Sequence, residues 1–265
     1  MKKKMSGLAT FLLMAAVGPL AAQDNWCSER SFHSDGLVTH SEVREERIAA
    51  IGENVVNPAM NGSIRVHGWA NGDIQVKACV QAAAGDASAA AALAKQVTIT
   101  DGPGRVVAKG PTPLDHSSWW SVSYDIWVPA SANLQLDANN GSIRLEGVAG
   151  QIRANTLNGS IQLKNVSGDV EGETTNGSLS VDLASGPWQG KGLTLKTVNG
   201  SIQLHLPETI SANVEASTVN GRIRTEFFAN ANTDDPHSAV FTLGAGGPKI
   251  EARTVNGSVQ INRQQ

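Results

Sequence analysis

The sequence predicts an all-β chain. It reads as a β-solenoid of the parallel β-helix or β-roll type, with Asn-Gly corners and about 18 residues per regular coil, joined to an N-terminal β region with one short helix. Three observations carry this. Gly141, Gly150, Gly159, Gly168, Gly177 and Gly186 recur at a spacing of about nine residues, preceded alternately by Asn and a small side chain, so the true unit is the doubled spacing. After each glycine, apolar and polar residues alternate as in a half-buried strand: Ile143 and Leu145, Ile152 and Ala154, Ile161 and Leu163, Leu179 and Val181. With 27 Gly and 5% aromatic residues in a chain of 265, turns are in demand and long helices are not.

From the N-terminus, Lys2, Lys3 and Lys4 precede an apolar run from Leu8 to Val17 and a small-residue close at Ala21-Ala22. Residues 1–22 therefore read as a signal peptide cut after Ala22. The run is well short of the roughly 20 apolar residues that span a bilayer. Gln23 to Trp26 lack the small apolar character of a lipid-attachment site, so the mature chain is expected to be exported, without a transmembrane helix. Residues 23–134 form the irregular region. Asn61-Gly62-Ser63-Ile64 and Asn71-Gly72-Asp73-Ile74 each begin a strand there, and Asp86 can cap a helix from Ala87 to Lys95. A hairpin about Asp101 to Gly104 follows, then a strand from Trp120 to Val128 that Pro129 ends.

Residues 135–265 carry the regular array, continuous with the region before it. Its corners are Asn140-Gly141, Asn158-Gly159, Asn176-Gly177, Asn199-Gly200, Asn220-Gly221 and Asn256-Gly257, with positive φ expected at the glycines. A meander with Asn-Gly hairpins is the competing architecture. It would leave Leu157, Val198, Val219 and Val255 exposed, whereas a solenoid bend can turn them inward, and the solenoid is preferred on this ground. The chain ends soon after the last repeat at Ile261, which predicts an open terminal edge.

The run Asn61-Gly62-Ser63-Ile64-Arg65-Val66-His67-Gly68-Trp69, the later Tyr124-Asp125-Ile126-Trp127-Val128-Pro129-Ala130 and the glycine array resemble the bacterial domain of unknown function 4097, the putative adhesin family. The resemblance extends from about Glu42 to Ile261 in an order specific to that family. It implies an exported β-solenoid or β-roll with no catalytic residues to carry over.

The residues themselves show no catalytic set and no cofactor site. Calcium-binding β-rolls need Asp at fixed positions, but Ser dominates after the glycines and Asp stands there only at Asp73 and Asp169. Glu171 and Glu173 share a strand face, yet nothing nearby would raise either pKa for general-acid work. The six histidines are scattered, and Asp115-His116-Ser117 places triad residue types on alternating faces. Cys27 and Cys79, an even pair in an exported chain, are expected to form a disulfide; no C-x-x-C spacing favours a redox or metal pair.

Trp119 and Trp127 fall on the opposite parity from Trp120, Val122, Tyr124, Ile126 and Val128, which should face the core, so they are the candidate partner-binding aromatics. The formal net charge of −3 excludes a dedicated nucleic-acid binder. The sequence thus predicts a non-enzymatic, adhesin-like binding or scaffolding protein, periplasmic or at the cell surface, whose partner is an envelope glycan or protein. A carbohydrate-active β-helix enzyme and a self-assembling envelope scaffold are the alternatives.

Overall fold

A computed structural model describes residues 27, 36–112, 117–186, 188, 190–227 and 235–264. The segment 1–22, expected to be a signal peptide, lies outside the described residues, as do Asp115 and His116. The described residues are all-β with one short helix. The strands are β1 (Val38–Ala49), β2 (Asn54–Asn57), β3 (Ile64–Trp69), β4 (Asp73–Ala84), β5 (Arg105–Val107), β6 (Trp119–Pro129), β7 (Leu134–Asn140), β8 (Ile143–Glu146) and β9 (Ala149–Asn158). There follow β10 (Ile161–Asn176), β11 (Leu179–Leu183), β12 (Gly192–Asn199), β13 (Ile202–Leu206), β14 (Ala212–Asn220), β15 (Ile223–Thr225), β16 (Ser238–Leu243), β17 (Lys249–Asn256) and β18 (Val259–Arg263). Helix α1 (Ala87–Lys95) starts where Asp86 accepts a hydrogen bond from the backbone N–H of Ala89 at 2.8 Å.

The sheet curls into two layers. In the first, the pairing order is β1-β4-β6-β3-β8-β10-β11-β13-β18-β15. In the second it is β5-β2-β7-β9-β10-β12-β17-β14-β16. Strand β10 runs through both, its first part pairing with β8 and its second with β9. Pairing is parallel except at the ends of the stack, where β4 lies antiparallel to β1 and β6, and β16 to β14. The alternation noted in the sequence is the cause of the core: Ile143, Leu145, Ile161, Leu163, Leu179 and Val181 of one layer and Ile152, Ala154, Leu193 and Leu195 of the other are all buried in one apolar cluster.

Identical residues of successive strands lie side by side. Asn158 Nδ2 donates to Asn140 Oδ1, and Asn176 Nδ2 to Asn158 Oδ1, each at 2.8 Å across 18 residues of sequence. The same ladder then passes through Asn199, Asn256 and Asn220. Beside it, the Thr156, Thr174 and Thr197 hydroxyls donate to the carbonyls of Gly141, Gly159 and Gly177 at 2.9 Å. These bonds satisfy buried polar groups at the bend.

Three expectations are corrected. Leu157, Val198, Val219 and Val255 do not turn inward: they are 47%, 42%, 63% and 38% exposed. The buried threonine one residue earlier takes the inward position, and alternation sends its neighbour out. The last repeat is not the terminal edge, because β17 lies between β12 and β14 and β18 between β13 and β15. The chain skips one slot after β13, builds the end of the stack, and returns to fill the gap. Finally, Gly141, Gly159, Gly177, Gly200 and Gly221 do not have positive φ. They are held to glycine by close approach: a Cβ on Gly159 would lie 2.1 Å from the carbonyl oxygen of Gly141.

Cys27 and Cys79 are joined by a disulfide. Cys79 sits opposite Val43, and the Cys27 carbonyl accepts a hydrogen bond from Gln81 Nε2 at 3.3 Å, so the bond pins residue 27 against the first layer.

Candidate functional site

Strand parity sorts the side chains of β6. Val122, Tyr124, Ile126 and Val128 are buried, and the buried Tyr124 hydroxyl donates to the Ile99 carbonyl at 2.8 Å. Burial of the phenol pushes its pKa up, so it stays protonated across the working range. Trp119 and Trp127 are on the other side, both half-buried. Eight residues of extended chain hold them about 26 Å apart, so they belong to different patches.

Around Trp127 the first layer presents a row of outward side chains at matching register: Arg47, Gln75, Trp127, His67, Glu146 and Lys164, continuing through Asp182 and His205 to Asn262. The row crosses nine strands, which at about 4.8 Å per strand is roughly 38 Å. The His67 ring stacks on Trp127 with centroids 5.2 Å apart, leaving at most one face of the indole for a ligand. His67 Nε2 lies 2.9 Å from Asp125 Oδ1, which fixes the imidazole. Trp69, missed in the sequence, closes the patch: its Nε1 donates to the Asp73 carbonyl at 2.9 Å and the Arg47 guanidinium stands over its ring at 5.7 Å. The parity of Arg65, His67 and Trp69 after the buried Ile64 was the available signal.

A shallow groove of about 310 Å³ lies next to this patch, lined by Arg65, His67, Arg144, Glu146, Gln162 and Lys164. Arg65 is directly opposite Arg144 on the neighbouring strand. Arg65 reaches Asp125 only at 3.8 Å, and among the described residues neither Arg144 nor Lys164 has a carboxylate partner.

The second layer has a different electrostatic character. Glu171 lies 3.6 Å from Arg153, and Lys249 bridges Glu215 at 2.8 Å and Glu251 at 2.9 Å. The hydrogen bond from Lys249 holds the Glu215 carboxyl below the usual carboxylate range, and Glu215 with Glu251 holds the Lys249 ammonium above its ordinary value. Glu171 and Glu173 flank the buried Gly172 on this outer face. Asp73 is bound by Arg47 at 3.3 Å, and Asp169 accepts from the Lys191 backbone N–H at 2.5 Å, so both post-glycine aspartates have protein partners. Among the described residues no three metal-ligating side chains gather.

A putative cell adhesion protein from Clostridium sporogenes is 10% identical, with 85% of this chain and 100% of that one covered at a TM-score of 0.46. A putative adhesin from Bacteroides fragilis is 9% identical, covering 85% and 97% at 0.37, and a putative lipid binding protein from Parabacteroides distasonis is 11% identical, covering 85% and 97% at 0.30. No curated protein matches the chain. The family model for Toastrack DUF4097, a β-solenoid-like fold, matches residues 61–262, and the chain belongs to that family.

Proposed function

We propose that the protein is an exported, non-enzymatic binding protein of the cell envelope. Its body is read as a solenoid of about 18-residue coils turning at Asn-Gly corners, with residues 23–134 and 135–265 forming one continuous stack. The contact surface is the outer face of the first layer, and the partner is an extended envelope glycan or protein. One observation carries this reading: the row from Arg47 to Asn262, which offers polar side chains and the Trp127–His67 pair across nine strands of the first layer at strand spacing. A rigid row of this kind suits a long ligand better than a small one, because the groove beside it is shallow and open to solvent.

The disulfide and the lack, among the described residues, of any helix long and apolar enough to cross a membrane are compatible with export. The non-enzymatic assignment is supported by the outward position of Glu171, which lies 3.6 Å from the Arg153 guanidinium. The test is attachment of the purified mature protein to isolated envelopes and to a glycan array. Trp127→Ala with His67→Ala should weaken attachment while the β-sheet circular dichroism stays unchanged. Undiminished attachment by that variant overturns the assignment of the face, and polysaccharide cleavage lost on Glu171→Gln overturns the non-enzymatic reading.

A further inference from the structure

We infer that the groove between β3, β8 and β10 binds an acidic polysaccharide, its sugar carboxylates held by Arg65, Arg144 and Lys164. This rests on the reading of the first-layer face as the contact surface and names the chemistry that face selects.

The arrangement of charge is the first argument. Arg65 and Arg144 occupy directly opposed positions on adjacent strands, where like charges cost stability. In the second layer Arg153 stands opposite Glu171, and the like-charge oppositions of Lys196 with Arg253 and of Glu215 with Glu251 are offset by ion pairs of Arg253 and Lys249 with both glutamates. Lys164 extends the positive group, diagonal to Arg144 and about 7–8 Å from it. The obvious internal counter-ion, Asp125, is engaged with His67 at 2.9 Å and lies 3.8 Å from Arg65. Among the described residues Arg144 makes no ion pair, and Lys164, though flanked at register by Glu146 and by an Asp182 that pairs with His205, makes none with either.

The second argument separates a sugar acid from other anions. A guanidinium is a planar fork that matches a carboxylate through two parallel hydrogen bonds. Glu146 lies within the same groove and stands opposite Lys164, so a densely charged polymer meets repulsion there, while one carboxylate per sugar can be spaced past it. Gln162, beside Arg144, supplies an amide able both to donate to and accept from hydroxyls. The Trp127–His67 stack adjoins His67's side of the groove and gives a sugar ring an apolar edge to pack on. The formal net charge of the chain is −3, so its overall field does not collect polyanions, and binding must come from the groove itself.

The experiment measures binding of the mature protein to polygalacturonate, to neutral galactan and to polyphosphate at a fixed, moderate salt concentration. Polygalacturonate should bind, galactan should not, and polyphosphate should bind more weakly. Arg144→Gln and Lys164→Gln should each weaken binding about tenfold, as loss of a charge-assisted contact does. Arg224→Gln, on the same layer but outside the groove, should leave it unchanged. Arg144→Gln should also raise the thermal midpoint, since it relieves the repulsion with Arg65. Equal binding of galactan or polyphosphate overturns the assignment, and so does indifference to both groove substitutions. If envelope attachment is lost on Trp127→Ala with His67→Ala yet survives Arg144→Gln with Lys164→Gln, the carboxylate assignment fails and the contact face stands. If neither pair affects attachment, both readings fail.

Discussion

Adding a single methyl group at Gly159 tests the stacking that organises the molecule. In a flexible loop Gly→Ala stabilises by about 0.4–1 kcal/mol, because it restricts the unfolded chain. Here the new Cβ would sit 2.1 Å from the Gly141 oxygen and 2.6 Å from its carbonyl carbon, both backbone atoms that cannot swing aside. An ordinary carbon–oxygen contact is about 3.3 Å, so the two neighbouring backbone segments must separate locally by about 1 Å. The bonds across that seam are Gly141 N–H to the Asn158 carbonyl at 3.0 Å, the hydrogen bond from the Asn158 amide to Asn140 at 2.8 Å, and the Thr156 hydroxyl to the Gly141 carbonyl at 2.9 Å. At about 1 kcal/mol for each bond, loss of all three costs about 3 kcal/mol, and the unfolded-state gain offsets less than a third of it. The expected result is a destabilisation of about 2–3 kcal/mol, read from urea unfolding followed by circular dichroism. Gln162→Ala, on the outer face, should change stability by no more than about 0.5 kcal/mol. A Gly159→Ala protein as stable as the parent, or more so, would refute the close-approach account.

Removal of the Cys27–Cys79 bond by Cys79→Ser should cost about 4 kcal/mol in the chain-entropy view, given a sequence separation of 52, and a reductant titration of the parent should lower the unfolding midpoint in parallel. Deletion of residues 248–265 should abolish cooperative unfolding rather than fray one end, since β17 and β18 each pair on both sides and bury Ile250, Val259 and Ile261; a truncated chain with parent-like melting contradicts the pairing order. Tyr124→Phe should destabilise by about 1–2 kcal/mol, as it orphans the Ile99 carbonyl in the core. The stability difference between the parent and Glu215→Gln should be greatest near neutral pH. Glu215 is held low by Lys249, so its contribution is present above the unfolded carboxylate pKa of about 4.3 and fades as pH falls through the folded value; high salt should shrink it at every pH, which melts at several pH values can check.

Much of the molecule is legible in the residues because it rests on local rules. Alternation at Ile143 to Leu145 and Ile161 to Leu163 dictates which side of a strand is buried, Asp86 starts the helix, and parity along β6 places Val122, Tyr124 and Ile126 inside. The Cys27–Cys79 bond follows from an even pair of cysteines in a sequence that reads as exported. Other features depend on which strand lies beside which, and no local rule states that. Thr197-Val198-Asn199-Gly200, Thr218-Val219-Asn220-Gly221 and Thr254-Val255-Asn256-Gly257 are the same word, so each stacks equally well on either of the others and sequence order is a poor guide to spatial order. Only the tertiary structure decides that the last of them lies between the first two. It also decides that threonine rather than the following Leu or Val enters at the bend, because the hydroxyl finds a glycine carbonyl of the neighbouring coil. The candidate site has the same origin. Gly62-Ser63-Ile64-Arg65 and Gly141-Ser142-Ile143-Arg144 look unrelated along the chain, and parallel stacking in register is what brings the two arginines face to face beside Trp127 and His67.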